Sequence, residues 1–138
     1  MIAYVTLGAD DIPLAETFYA AFLPRLGYRL EVSSEGLSCT LPPETGQPYG
    51  PVDLYIKPPY DQRAASNGNG TMVAFRANGQ ALVRELHAAA LANGGRNEGS
   101  PGFRAEYSAN FYVGYLRDPQ GNKIALFCDS RDEPERPD

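Results

Sequence analysis

Histidine is nearly absent from this 138-residue chain: His87 is the only one, and there is no tryptophan at all. One imidazole cannot build a centre of two histidines and a carboxylate, so that kind of transition-metal site is excluded within a single chain. Cysteine is scarce too. Cys39 and Cys128 lie far apart, each in or at the end of an expected strand, and read as two small buried apolar residues. Twelve basic residues face seventeen acidic ones, the formal net charge is −5, and no Lys/Arg run exists. Neutralising phosphate needs such a run, so nucleic acid is not an expected partner, and an anionic membrane surface is disfavoured for the same reason. No apolar run is long enough to span a bilayer, and no secretory signal precedes the first expected strand. The expectation is a cytoplasmic protein with both thiols reduced.

What is present fits one ordinary domain. The hydrophobic share of 43% and the charged share of 21% are near the globular norm. Residues 2–8 alternate as a strand does, with Val5 and Leu7 on one face and Tyr4 and Thr6 on the other. Asp10 and Asp11 offer an N-cap, Pro13 fits a first helical turn, and Leu14, Phe18, Ala21 and Phe22 form an apolar stripe that Gly27 ends. Residues 28–33 and 36–41 read as a hairpin. Residues 51–57 alternate again, Val52, Leu54 and Ile56 against Asp53, Tyr55 and Lys57. Pro, Asn, Gly and Ser dominate residues 58–70, which read as a connector.

The order then repeats. Residues 71–76 are a strand, with Val73 and Phe75 opposite Met72, Ala74 and Arg76. Residues 80–93 are a helix with Val83, Leu86 and Ala90 inward, stopped by Gly94-Gly95. Residues 96–109 look like loop. Residues 110–117 and 123–128 are strands joined by the turn Asp118-Pro119-Gln120-Gly121-Asn122. Each half thus reads strand–helix–strand–strand–strand, with one short strand of the second half weakly marked. The predicted modules are 1–57 and 71–128, joined by 58–70.

The aliphatic strand faces need a cover, and the two helices can supply it. The opposite faces carry Tyr4, Thr6, Asp53, Tyr55, Met72, Ala74, Ala125 and Phe127. That surface is too polar for a dry core and too aromatic for plain exposure, which suggests a lined cavity. Nine tyrosines make the aromatic set tyrosine-rich, and Tyr4, Tyr55 and Tyr112 are the candidates to stack a flat ligand and hydrogen-bond its edge. Filling of space by these rings is the alternative.

Three segments together resemble the glyoxalase/bleomycin-resistance/extradiol-dioxygenase group, the vicinal oxygen chelate superfamily. They are YVTLGADDIPLAETFYAAFLPRLGYRL, GNGTMVAFRA followed by LHAAALANGG, and YVGYLRDPQGNKIALF. The resemblance spans nearly the whole chain. It implies an α+β fold in which paired βαβββ modules curve an eight-stranded mixed sheet around a cavity, helices outside. It also implies a homodimer, in which cavities are sometimes completed across the interface. The family's frequent metal set is a His on each module's first strand and a Glu on the last strand. Those positions match Tyr4, Met72 and Ala125 here, none of which is the expected ligand. No metal or other cofactor is therefore expected, and His87, on the outer helix, reads as structural.

Without a metal, chemistry would need a positioned acid or base and donors for developing charge. Asp53 is the one weak candidate for a base; a hydrogen bond to a nearby Tyr or Arg is its plainer role. Arg76 could hold a carboxylate or stand solvated, and Glu106-Tyr107 could cover the cavity mouth. The leading expectation is a metal-free binding protein for a small aromatic or amphipathic molecule, which the acidic charge would mildly favour as a cation. The alternative is a glyoxalase-like lyase or isomerase, of lactoylglutathione lyase type, or a dioxygenase-related enzyme with a nonstandard metal or acid–base site. A relic domain acting through dimer contacts is a third possibility.

Overall fold

The computed structural model describes residues 1–138. The first module runs β1 (Tyr4–Gly8), α1 (Ile12–Ala20), β2 (Arg29–Ser33), β3 (Gly36–Thr40) and β4 (Asp53–Lys57). The second runs β5 (Met72–Arg76), α2 (Gln80–Ala92), β6 (Arg96–Phe103), β7 (Tyr112–Arg117) and β8 (Lys123–Cys128). The eight strands form two mixed four-stranded sheets, ordered β1-β4-β3-β2 and β5-β8-β7-β6. In each sheet the first and last strands of the module pair in parallel and the rest pair antiparallel. The paired βαβββ plan and the α+β class follow, with the helices outside the sheets. No helix is long and apolar enough to cross a membrane.

Local chemistry explains the element ends. Asp11 caps α1, its Oδ1 accepting from the Leu14 N–H at 3.0 Å, and Pro13 sits in the first turn. Asp10 is not a cap; its carboxylate accepts from the Ala65 N–H at 2.9 Å and ties down the connector. Gly36 opens β3 at φ 130°, where an added Cβ would stand 2.5 Å from the Ile56 carbonyl oxygen. The α2 N-terminus has no capping side chain of its own. Glu133 supplies one from the C-terminal tail, accepting from the Gln80 N–H at 2.9 Å.

Two expectations change. Residues 96–109 are not all loop: Arg96–Phe103 form an edge strand against β7, with register shifts between Asn97 and Gly99 and between Gly99 and Gly102. Two glycines and Pro101 erase the alternation that would mark a strand, and bulges on an edge tolerate both residue types. In α1 the buried side chains are Ala15, Phe18 and Tyr19, whereas Leu14 is 53% exposed. Tyr19 goes inside because its hydroxyl has a partner there.

One contiguous core runs through both modules. Phe22, just past α1, meets Phe75 of β5 at 5.9 Å between ring centroids, and Tyr28 meets the same ring at 5.9 Å. A polar latch joins the modules at the other end. Tyr19 Oη donates to Asp118 Oδ2 at 2.7 Å, and Asn122 Nδ2 donates to the Gly8 carbonyl at 2.9 Å. Cys39 and Cys128 are buried and free. Burial pushes the Cys39 thiol up to about 12.

Candidate functional site

Strand registers decide which side chains share a face. In the first sheet Tyr4 pairs with Asp53, Thr6 with Tyr55, and Tyr55 with Ser38. The alternate positions, Leu7, Leu54, Ile56 and Leu37, are buried under α1. Tyr4, Thr6, Asp53 and Tyr55 therefore come together on the side away from the helix, as expected. The Tyr4 and Tyr55 rings meet edge to face at 5.6 Å. Asp53 is half-buried, and its Oδ1 accepts from the Leu41 N–H at 3.3 Å. Its partner is thus a backbone amide rather than the Tyr or Arg side chain that sequence suggested.

In the second sheet the corresponding rows are Met72–Lys123–Arg117, Ala74–Ala125–Tyr115 and Arg76–Phe127–Val113. Met72, Ala74, Ala125 and Phe127 share this face, as expected. Ala125 is only 1% exposed, so a bound molecule would meet the side chains around it. Phe127 stacks at 4.8 Å on Phe111, which lies 4.6 Å from Tyr107. Arg76 is paired with Asp129 and has its guanidinium 4.8 Å from the Phe127 ring centroid, so it is neither solvated alone nor free for a carboxylate.

Tyr112 does not belong here. It pairs with Cys128, whose side chain lies on the helix face, and it is 6% exposed, against Phe103 at 5.2 Å. Its hydroxyl accepts from Arg84 Nη1 at 3.2 Å. The tyrosine of β7 that does face outward is Tyr115, opposite Ala125. Antiparallel register is set by the connecting turn, and a slip of one residue exchanges the two faces. Glu106-Tyr107 sit beside this aromatic group, with the Tyr107 carbonyl held by Arg136 Nη1 at 3.1 Å from the C-terminal tail.

His87 is structural, as expected. It is 3% exposed, and its Nε2–H donates to the Tyr115 carbonyl at 3.0 Å. Gly114 makes room for it; a Cβ there would stand 2.8 Å from the imidazole Cδ2.

The two groups of candidates occupy separate sheets. The first borders an open cleft of about 330 Å³ between Tyr4, Tyr49, Pro51 and Asp53. A groove of about 210 Å³, lined by Val5, Tyr28, Asp53, Val73, Ala74 and Phe75, marks where the modules meet and brings one candidate of each group to a shared surface. Tyr49 was missed from sequence because it lies in an aperiodic Pro/Gly-rich loop. Nowhere do three His, Cys, Asp or Glu side chains gather to hold a metal ion. The residues at the family's ligand positions, a phenol, a thioether and a covered methyl, do not fit one.

Paired βαβββ modules with helices on one face and a mixed polar and aromatic surface on the other define the class. A solved glyoxalase/bleomycin resistance protein from Albidiferax ferrireducens T118 is 30% identical and superposes with a TM-score of 0.78, over 94% of this chain and 99% of that one. The chain belongs to the glyoxalase/bleomycin resistance protein/dioxygenase superfamily. A glyoxalase-related enzyme from Fulvimarina pelagi shares the fold at 18% identity and a TM-score of 0.67, covering 93% of this chain and 87% of that one. So does a glyoxalase/bleomycin resistance protein/dioxygenase family enzyme from Burkholderia phytofirmans PsJN, at 17% identity and 0.64, covering 93% and 98%. No family model matches the sequence, and no curated protein matches it closely.

Proposed function

We propose that this chain is a metal-free binding protein of the cytoplasm that holds a small aromatic or amphipathic molecule against its mixed sheet faces. We further propose that it works as a homodimer in which a second copy covers those faces. The observation that carries the reading is the state of the faces in one chain: Tyr4, edge to face with Tyr55 on the first sheet, is 63% exposed, and Met72 on the second sheet is 42% exposed. Aromatic and thioether groups left in water on the mixed face of each sheet mark surfaces that something covers. Tyrosine suits that use, with a flat apolar ring and a hydroxyl for the ligand's edge. The exposed area supports a partner copy. It is 8376 Å², against about 7,000 Å² for a folded monomer of this mass. The excess is of the order of one side of a standard interface.

A thermal-shift screen against flat aromatic compounds tests the binding. Stabilisation by some of them, lost in Tyr55→Ala and kept in Tyr60→Ala at the fully exposed Tyr60, is the expected result. Stoichiometric zinc, iron, manganese or nickel in protein purified without a histidine tag would overturn the metal-free reading. Sedimentation at the 15.0 kDa monomer mass, with or without ligand, would overturn the dimer.

A second reading is a glyoxalase-like lyase or isomerase, or a dioxygenase-related enzyme. One observation favours it: Asp53 borders the cleft with a single hydrogen bond, from the Leu41 amide. Turnover of a bound compound that Asp53→Asn abolishes, with binding retained, would move the assignment there.

A further inference from the structure

We propose that the second module carries an anion-binding subsite, formed by Lys123 and Arg104 around the ring of Tyr115, for a ligand that joins a carboxylate or phosphate to a flat aromatic body. The proposal rests on the binding function above and gives that ligand its chemical class.

Tyr115 stands in the middle row of the mixed face, beside Ala125 and Ala74. Lys123 Nζ lies 5.0 Å from its ring centroid, and Arg104 Cζ lies 5.3 Å from it. Two cations thus converge on one ring. Of the other cations of this sheet, Arg76 is paired with Asp129 and Arg117 with Glu98 at 3.0 Å, while Arg96 stands exposed at the outer end of β6, opposite Arg117. Lys123 and Arg104 are in no ion pair. Both are half-buried, within reach of a small molecule.

Arg104 is also held in place. Its Nη1 donates to the Phe103 carbonyl at 3.1 Å and its Nη2 to the Ser100 carbonyl at 3.0 Å. The guanidinium lies along Gly99 and Gly102; a Cβ at Gly99 would stand 3.2 Å from Nη2, and one at Gly102 3.4 Å from Nη1. Further N–H groups of the guanidinium remain for a planar acceptor. A fixed donor loses little freedom on binding.

Overall charge points the other way, toward a cationic ligand. Screening limits that field to about 8 Å at physiological salt, so the local pair outweighs the distant excess of acids. The acid nearest by register, Glu98, is already engaged by Arg117. The aromatic body has a place on the same strand. Phe127 lies four residues from Lys123 on the same face, about 13 Å along β8. The two alanines of the Ala74–Ala125 row leave the stretch between them low.

Four probes on one naphthyl body test the subsite by titration calorimetry at physiological salt: 2-naphthoate, 2-naphthyl phosphate, 2-naphthylmethanol and 2-naphthylmethylammonium. The carboxylate, the phosphate or both should bind about tenfold or more tightly than the alcohol, and the two anions show which acid group is preferred. Lys123→Met and Arg104→Met should each erase most of that preference while leaving the alcohol's affinity unchanged. Lys123→Arg should keep it. Alcohol or ammonium binding as tight as the tighter of the two anions would overturn the subsite, as would an unchanged preference in either Met variant. Alcohol binding that is lost in Phe127→Ala, with no preference for charge, would leave the broader binding function standing and remove only the subsite. Failure of all four probes would count against both.

Discussion

Replacing Tyr19 by Phe removes one oxygen atom from the seam between the modules and should cost the protein a measurable part of its stability. Asp118, 4% exposed, accepts five hydrogen bonds: from the N–H groups of Gln120, Gly121 and Asn122, from Asn122 Nδ2, and from Tyr19 Oη. Tyr19 alone among the donors comes from the first module, and it is fully buried. The bond is short at 2.7 Å and its acceptor is a carboxylate. A hydrogen bond to a charged group contributes about 1.5–3 kcal/mol, and a buried acceptor left without its donor loses that amount. Tyr19→Phe changes no ring volume, so packing against Phe18 and Phe22 persists. The expected loss is about 2 kcal/mol, or roughly 6–8 °C in Tm for a chain of this size. Urea denaturation of Tyr19→Phe, Asp118→Asn and the double variant would read it. The singles should be strongly non-additive, because each breaks the same bond. A Tm within about 1 °C of the parent for Tyr19→Phe, or simple additivity in the cycle, would refute the reasoning that this bond helps lock the modules together.

Other outcomes follow from burial. Cys39, Tyr19 and Tyr28 are all held above their ordinary values, chiefly by desolvation. Each keeps its proton in the fold after the unfolded chain has released it. Their contribution is complete below the unfolded values and is lost as pH rises. For Cys39 the window runs from the ordinary thiol value of 9.0 to about 12. Unfolding free energy should therefore begin to fall above pH 9, by up to about 1.4 kcal/mol per pH unit from Cys39, and Cys39→Ala should flatten the first part of that fall in denaturant titrations. Both cysteines should react with a thiol reagent at pH 8 only as fast as the protein opens, so adding urea should accelerate labelling steeply; immediate modification of the native protein would contradict their burial. Gly36→Ala forces a Cβ to 2.5 Å from the Ile56 carbonyl oxygen at φ 130° and should cost about 3 kcal/mol in chemical denaturation.

The chain's periodicity determined a good deal alone. Strands recur with period two, helices with a 3.6-residue stripe, and Pro/Gly clusters separate them, so the strand–helix–strand order was readable from local pattern. So was the parity that sets Tyr4, Thr6, Asp53 and Tyr55 opposite Leu7, Leu54 and Ile56, because β1 and β4 alternate cleanly. The count of one histidine already ruled out a two-histidine centre, and composition needs no structure.

Tertiary structure decided what local pattern does not encode. Residues Arg96–Phe103 are a strand only because β7 supplies their hydrogen-bond partners; their own glycines and proline argue against it. Tyr115, and not Tyr112, faces outward because the five-residue turn fixes the register of β7 on β8, and register is a relation between two segments. Tyr19 is buried because Asp118, ninety-nine residues away, accepts a hydrogen bond from its hydroxyl. The convergence of Lys123 and Arg104 on one ring is of the same kind. Local sequence sets which way a side chain points relative to its own strand, but which charges meet depends on how the strands are laid side by side.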